Sequence, residues 1–405
     1  MELKEGYKMT EVGIIPETWR CVNLEECLLT KPVYGIGAAA SSYSNNLPTY
    51  LRITDISEDG KYIKKNQASI NHPLAESYYL EEGDIVIART GASVGKTYMY
   101  NKNDGQLVFA GFLIRIKPNI KHLHPSFFYH YSFSASYWKW VLANSMRSGQ
   151  PGINGNQFRK LPVPLPPLSE QTAIAAALCD MDALIAQTEK LIEKKKAIKH
   201  GMMQQLLSPY DAEGKLKEGW VKKKLGDVAI IYTGKRNNED KVDDGDYPFF
   251  VRSQSVEKIN SYSFDGEAIL VPGEGNIGNI FHYINGRFDF HQRVYKISDF
   301  NSDVLGKYIF LYLKAHFGNY ALNNTVKATV DSLRLPTFTE FTLYTPSSIE
   351  DQLEIVNSIW NIDNSISLLL RKQEKQLMLK QAMMQSLLTG KIRIYKPNHE
   401  PTPQV

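Results

Sequence analysis

Residues 171–207, QTAIAAALCDMDALIAQTEKLIEKKKAIKHGMMQQLL, return without a gap 181 positions later as residues 352–388, QLEIVNSIWNIDNSISLLLRKQEKQLMLKQAMMQSLL. Gln171 falls on Gln352, Asp182 on Asp363, Ile185 on Ile366, Glu193 on Glu374, Lys194 on Lys375 and Lys199 on Lys380. In the first copy Ile174, Leu178, Met181, Ile185, Thr188 and Ile192 step by alternating fours and threes, and Met202 and Leu206 resume that phase. In the second, Ile355, Ile359, Ile362, Ile366 and Leu369 step the same way, with Met383 and Leu387 at the far end. This spacing lays the apolar side chains along one seam of a helix, with Lys and Glu on the outer positions. It predicts two helices of ~37 residues, roughly 55 Å long at ~1.5 Å per residue. The proline-rich PLPPLSEQ offers Ser169 as N-cap of the first, and TPSSIEDQ offers Ser347 or Ser348 for the second. A helix with one apolar stripe must bury it, and its own copy is the obvious partner. A packed pair of this length would also serve as a rigid spacer between two binding domains.

Each helical copy follows a longer, more divergent stretch, and these repeat too. PTYLRITDI at 48–56 aligns with PFFVRSQSV at 248–256, matching Pro48 with Pro248 and Arg52 with Arg252. GDIVIARTGASVG at 83–95 aligns with GEAILVPGEGNIG at 266–278, matching Gly83 with Gly266 and Gly95 with Gly278. Both read as a buried strand, a glycine-rich turn and a second strand. Strands such as LVFAGFLIRI and RFDFHQRVYKI follow, then a helix over FFYHYSFSASYWKWVL or VLGKYIFLYLKAHF. Trp19 and Trp220 mark corresponding openings. The fold class is therefore α+β, with two globular α/β domains, two long helices packed as an antiparallel coiled coil, and a pseudo-two-fold internal repeat. The expected division is a first globule at 1–167, a helix at 168–208, a second globule at 209–348, a helix at 349–392 and a flexible tail at 393–405. A molecule with two similar faces suits a target with two half-sites, and DNA is the commonest target of that kind.

Composition narrows the class without settling it. At 405 residues, with 43% hydrophobic and 22% charged side chains, the chain is expected to be a soluble protein of two or three domains. No run of 18 apolar residues is present, and the N-terminal MELKEGYKMTEVG lacks the apolar core of a secretory signal. Three cysteines, Cys21, Cys27 and Cys179, fit a reducing cytoplasm and no disulfide framework. No metal site is expected. The stretch 208–348 holds 17 basic against 18 acidic side chains, so DNA binding there must use local patches or a partner's phosphate contacts.

Catalytic motifs are missing. GASVGKT at 91–97 resembles a phosphate-binding loop, but only three residues separate Gly91 from Gly95, and its repeat copy GEGNIGNI has neither lysine nor hydroxyl. A tight turn between strands is the better account. There is no Asn-Pro-Pro-aromatic or Asp-Pro-Pro-aromatic motif for base methylation, and no HExxH or CxxC. The chain therefore reads as a binding or scaffolding protein that carries no cofactor of its own. Arginine or lysine suits guanine, and asparagine or glutamine suits adenine. On that rule the densest candidate loop for DNA in the first globule offers Arg147, Gln150, Asn154, Asn156, Gln157 and Arg159, with Lys160 for phosphate. The second offers Lys235, Arg236 and Asn237, then Gln292 and Arg293, then Asn323, Asn324 and Lys327. Arg52 and Arg252, shared by both halves, read as fold or phosphate residues.

Taken together, GIIPETW, GDIVIARTGASVGK, LPVPLPPLSEQTAIAAAL, MDALI and LIEKKKAIKHGMMQQLL, with EDQLEIVNSIWNIDNSISLLL and KQAMMQSLLTGKIR, resemble the specificity subunit of a Type I restriction-modification system. The resemblance covers nearly the whole chain. It implies two target recognition domains, each reading one half of a split double-stranded DNA sequence. It also implies that the helices dock two methyltransferase subunits and, through them, restriction subunits. S-adenosylmethionine would then sit on the modification subunit, and ATP and Mg²⁺ on the restriction subunit. The alternatives are a non-catalytic coiled-coil scaffold or a self-contained methyltransferase, the latter disfavoured by the missing motif.

Overall fold

The computed structural model describes residues 5–146, 149–324 and 332–394. The chain forms two compact units, residues 1–188 with 372–405 and residues 189–371. The divisions fall inside the two long helices, because each globule takes as its own the helix halves that complete its core.

The first unit is built on a four-stranded antiparallel sheet in the order Val33–Tyr34, Leu113–Ile116, Ile85–Ala88 and Thr97–Met99. Ile85, Val86, Ile87 and Ala88 are all fully buried, so this strand is an unbroken apolar run covered on both faces. A second sheet holds Leu107–Phe109, Thr49–Leu51, Ala68–Ser69 and Ser41–Ser42. The stretch LVFAGFLIRI, expected as one strand, is broken at Ala110–Phe112 by a turn closed by Leu113 N–H to Ala110 O at 2.8 Å. Its first half joins one sheet and its second half the other. The aromatic helix expected over 127–142 is also broken, into Pro125–Tyr131 and Ala135–Ser145. Ser134 caps the second piece by accepting the Tyr137 N–H at 3.2 Å, and Ser132 Oγ donates to Tyr129 O at 2.6 Å.

The second unit has one six-stranded sheet, ordered Ile230–Thr233, Val294–Ser298, Phe264–Pro272, His282–Phe290, Tyr247–Phe250 and Val256–Ile259. All its pairings are antiparallel except Tyr247–Phe250 with His282–Phe290. Here the aromatic helix is continuous, Gly306–Asn323.

The long helices are Leu168–Leu206 and Ile349–Leu387, each of 39 residues. Ser348 caps the second by accepting the Asp351 N–H at 3.2 Å, whereas Ser169 lies within the first turn of its helix, where Pro167 O takes the amides of Glu170 and Gln171. Ile174, Leu178, Met181 and Ile185 are buried in the first unit, as is Leu387 from the second helix. Ile192, Ile359 and Ile366 are buried in the second unit. Met202, Leu206, Ile355, Ile362, Leu369 and Met383 are half-buried. In the first unit Asp182 pairs with Lys380 at 2.5 Å, and in the second Lys199 pairs with Asp363 at 2.6 Å. Ile174 shares the first unit's core with Leu387 and Leu388, and Leu206 the second unit's with Val356 and Ile359, so within each unit the helix segments run antiparallel.

Each helix is fastened at its start by the same device. Gln171 accepts the His124 N–H at 2.8 Å and donates to His122 O and Pro166 O at 2.9 and 3.0 Å. Gln352 accepts the Leu305 N–H at 2.9 Å and donates to Asp303 O and Pro346 O at 3.1 and 2.9 Å. The first unit adds a clasp of its own around Glu170. The indole of buried Trp19 donates to it at 3.0 Å, and Arg393 donates twice, at 2.5 and 2.7 Å. Arg393, the first residue of the expected flexible tail, is therefore anchored, while residues 395–405 lie outside the described ones.

Candidate nucleic-acid interface

The glycine-rich turns organise one edge of each unit. In the first, Gly91–Ser93 is a 3-10 turn that leads into strand Thr97–Met99, which pairs antiparallel with Ile85–Ala88. Gly95 adopts φ +89°, and a Cβ there would lie 2.7 Å from Val141 Cγ1 of the neighbouring helix. Gly278 does the same in the second unit, at φ +72° and 2.9 Å from Gly318 Cα. The amides of Val94, Gly95 and Lys96 are taken by Gly91 O, Ala88 O and Ser93 O, and Lys96 Nζ pairs with Glu58 at 2.5 Å. GASVGKT is thus a turn between strands, with these amides and the lysine engaged within the fold.

In both units the loop ahead of the last strand, Pro162–Leu165 in the first and Thr342–Pro346 in the second, returns to this turn. Gly91 N–H donates to Pro151 O and Ile153 N–H to Arg89 O, each at 2.9 Å. In the second unit Leu333 N–H donates to Gly273 O at 2.7 Å, and Glu274 bridges to Ser332. Segments some 60 residues apart are thereby brought to one edge of each globule.

Several candidate side chains at these edges are already engaged. Asn154 accepts the Gln157 N–H at 2.9 Å while Gln157 Oε1 accepts the Asn154 N–H at 3.0 Å, a capping box for the short helix Gly155–Arg159. Arg159 pairs with Glu25 at 2.5 Å. The Gln150 amide lies over Gly91, where a Cβ would be 2.9 Å from its Nε2. Asn156 and Lys160 are exposed, and Arg147 lies outside the described residues.

In the second unit Arg236 donates to the buried carboxylate of Asp289 at 3.1 Å and to Ser261 Oγ at 2.8 Å. Gln292 N–H donates to Arg236 O at 2.8 Å, and the Gln292 side chain donates to Asn237 Oδ1. Arg236, Asn237, Gln292 and Arg293 therefore form one cluster, with Lys235 exposed beside it. Asn323 and Asn324 are exposed at the end of the helix that packs on Gly278, and Lys327 lies outside the described residues.

Two participants were not among the candidate readers. Glu274 holds Arg293 Nη1 at 3.4 Å through one carboxylate oxygen and Arg252 Nη1 at 3.3 Å through the other. Arg252 also borders a cavity of about 560 Å³ with Asn238 and Lys241, and Arg293 borders one of about 600 Å³ with Arg334. The imidazole of His291 is held below its ordinary pKa, first by burial and then by Arg252. Arg52, which aligns with Arg252, is a fold residue instead. It grips Asp55 through Nε at 2.9 Å and Nη2 at 2.7 Å, and donates to Asn66 O at 2.7 Å. Among the described residues no group of three His, Cys, Asp or Glu side chains could hold a metal ion, and no helix is long and apolar enough to cross a membrane.

Residues 31–197 and 217–378 each match the model of the type I restriction modification DNA specificity domain. The chain is similar to the putative type I restriction enzyme MjaX specificity subunit of Methanocaldococcus jannaschii, at 25% identity over 96% of this chain and 97% of that one. It matches the type I restriction enzyme MjaVIII specificity subunit of the same organism at 25% identity over 98% of both. The S subunit of the type I restriction-modification system from M. genitalium has the same fold, with a TM-score of 0.65 and 14% identity over 96% of this chain and 98% of that one.

Proposed function

From membership of the type I restriction-modification DNA specificity family, to which this chain belongs, we propose that each unit reads one half of a split duplex sequence with the edge built on its glycine-rich turn. The observation that carries this reading is the repeat itself. Two units of one chain place turn, returning loop and polar side chains at the same edge, as a target with two half-sites requires.

The chain is the DNA-recognition subunit and not the catalyst. In the first unit Gln150, Asn156 and Lys160 supply exposed groups, and Arg159 can join them by releasing Glu25. In the second, Lys235, Gln292, Arg293, Asn323 and Asn324 do so, while Arg236 supports the loop through Asp289. Arg147 and Lys327 remain candidates by sequence.

The partners in this proposal are two methyltransferase subunits docked on the long helices, with restriction subunits joining through them. Leu184, Leu191 and Ile198 recur every seven residues along the first long helix and are exposed by 47%, 42% and 43%, an apolar stripe suited to a partner's helix. S-adenosylmethionine belongs in this scheme to the modification subunit, ATP and Mg²⁺ to the restriction subunit, and the complex to the cytoplasm. The methylated adenine is turned out of the duplex by the partner. Footprinting the chain assembled with its modification subunits tests the reading. Two protected blocks separated by an unprotected spacer are expected, and a single continuous block contradicts it.

A further inference from the structure

The second unit keeps a carboxylate between two arginines at the edge built on its glycine-rich turn. Glu274 lies between Arg252 and Arg293 and gives one oxygen to each, at 3.3 and 3.4 Å. Both arginines are about half exposed, at 44% and 59% of their side-chain surface, and each reaches the carboxylate through one terminal nitrogen. Glu274 itself is only 20% exposed, but single-nitrogen contacts of this length from arginines open to solvent hold weakly.

The backbone at this point is fixed. Gly273 N–H donates to Arg293 O at 2.8 Å, and a Cβ on Gly273 would meet the Tyr295 ring at 2.8 Å. On the other side Gly275, at φ +86°, has nothing within 4 Å of where its Cβ would stand, so the turn backbone next to Glu274 is open there. A carboxylate and a phosphodiester both present two anionic oxygens to arginine. The arginine pair therefore already has the shape of a phosphate seat, occupied by a group of the protein's own. In the aligned turn of the first unit Gly91 stands where Glu274 does, with the Gln150 amide over it and no carboxylate.

We propose that a DNA backbone phosphate replaces the Glu274 carboxylate between Arg252 and Arg293, making Glu274 a built-in competitor for DNA on the second unit alone. This rests on the DNA-recognition reading above. Glu274 swings aside on binding, and loose, off-target contacts that cannot displace it gain nothing from the two arginines. The phosphate contact becomes conditional on a close fit at that half-site.

The test uses the full chain assembled with its modification subunits and a labelled duplex carrying the motif found by sequencing methylated adenines in cells that express the complex. Binding is measured from 0.1 to 1 M salt. Glu274→Gln should tighten binding and steepen the dependence of log K on log salt by about 0.9, a gain of about eightfold at 0.1 M that vanishes near 1 M. In a background of Arg252→Gln with Arg293→Gln, the same change should have no effect. Arg252→Gln alone should weaken binding and flatten the slope by about 0.9. Unchanged or weaker binding by Glu274→Gln overturns the proposal, and so does an equal gain without the arginines. If Glu274→Gln does not fold, an unchanged slope for Arg252→Gln overturns it alone. A wild-type complex that neither methylates nor binds a split motif instead defeats the DNA-recognition reading.

Discussion

Asp182 and Lys380 form an ion pair at 2.5 Å, and the residues that the internal repeat assigns to them, Asp363 and Lys199, form the same pair at 2.6 Å. Two copies of one helix packed antiparallel meet each other in equivalent registers, so one contact occurs twice. Both pairs are partly exposed, and such pairs contribute ~0.2–1 kcal/mol. Lys380→Glu should therefore cost about 1 kcal/mol, and adding Asp182→Lys should restore most of it. Thermal melts of the two variants check this, and a double variant no more stable than Lys380→Glu contradicts the register.

The glutamine staples should be costlier to lose. Gln171→Ala leaves the His124 amide and the His122 and Pro166 carbonyls without their partner. Unpaired buried groups cost ~1–3 kcal/mol each, so a loss of about 3 kcal/mol is expected. Gln352→Ala, which breaks the same set of bonds, should cost a similar amount. Urea denaturation midpoints measure both, and a negligible cost for either removes the staple from the account.

His130 gives the first unit a dependence on acid. Burial pushes its pKa from 6.5 down to about 4, against the opposing pull of Asp182. The imidazole stays neutral in the fold and gains its proton only on unfolding between those two values. Stability from this group is complete above pH ~6.5 and is lost as the pH falls towards ~4. The full shift corresponds to about 3 kcal/mol, reduced by any water that reaches the ring. His130→Gln should flatten the stability profile between pH 6.5 and 4, as read from denaturation midpoints across that range. An unchanged profile assigns the acid sensitivity elsewhere.

Assembly should be separable from folding. Leu191→Lys with Ile198→Glu alters only exposed positions of the stripe on the first long helix. The variant should melt within ~0.5 kcal/mol of the parent, yet fail to elute with modification subunits in size-exclusion chromatography. Normal co-elution would show that the stripe is not the docking face.

The long helices were legible in the sequence because a 4–3 apolar spacing in two copies has one helical interpretation, and Ile174, Leu178 and Ile359 are fully buried as that spacing requires. Breaks within elements were not. LVFAGFLIRI and the stretch from Phe127 to Leu142 are mostly apolar or aromatic on both sides of their breaks, and the turn at Ala110 and the cap at Ser134 depend on hydrogen bonds that the apolar pattern does not encode. The candidate interface was legible as loops but not as side chains. Arg236 looks like a base reader until Asp289, 53 residues on, is found beneath it. Arg52 and Arg252 align in sequence, yet one is tied to a local carboxylate and the other stands over Glu274. Which acid neutralises which arginine is decided by tertiary folding, and so is which arginine remains for DNA.

The central claim is that each unit reads its own half of a split target. The most direct measurement is genome-wide mapping of methylated adenines in cells expressing the chain with its modification subunits, repeated after exchanging residues 1–167 for the matching region of another family member. The account predicts a two-part motif in the first map and, in the second, the same motif with one half changed and the other intact. A continuous motif, or a change in both halves, would contradict it.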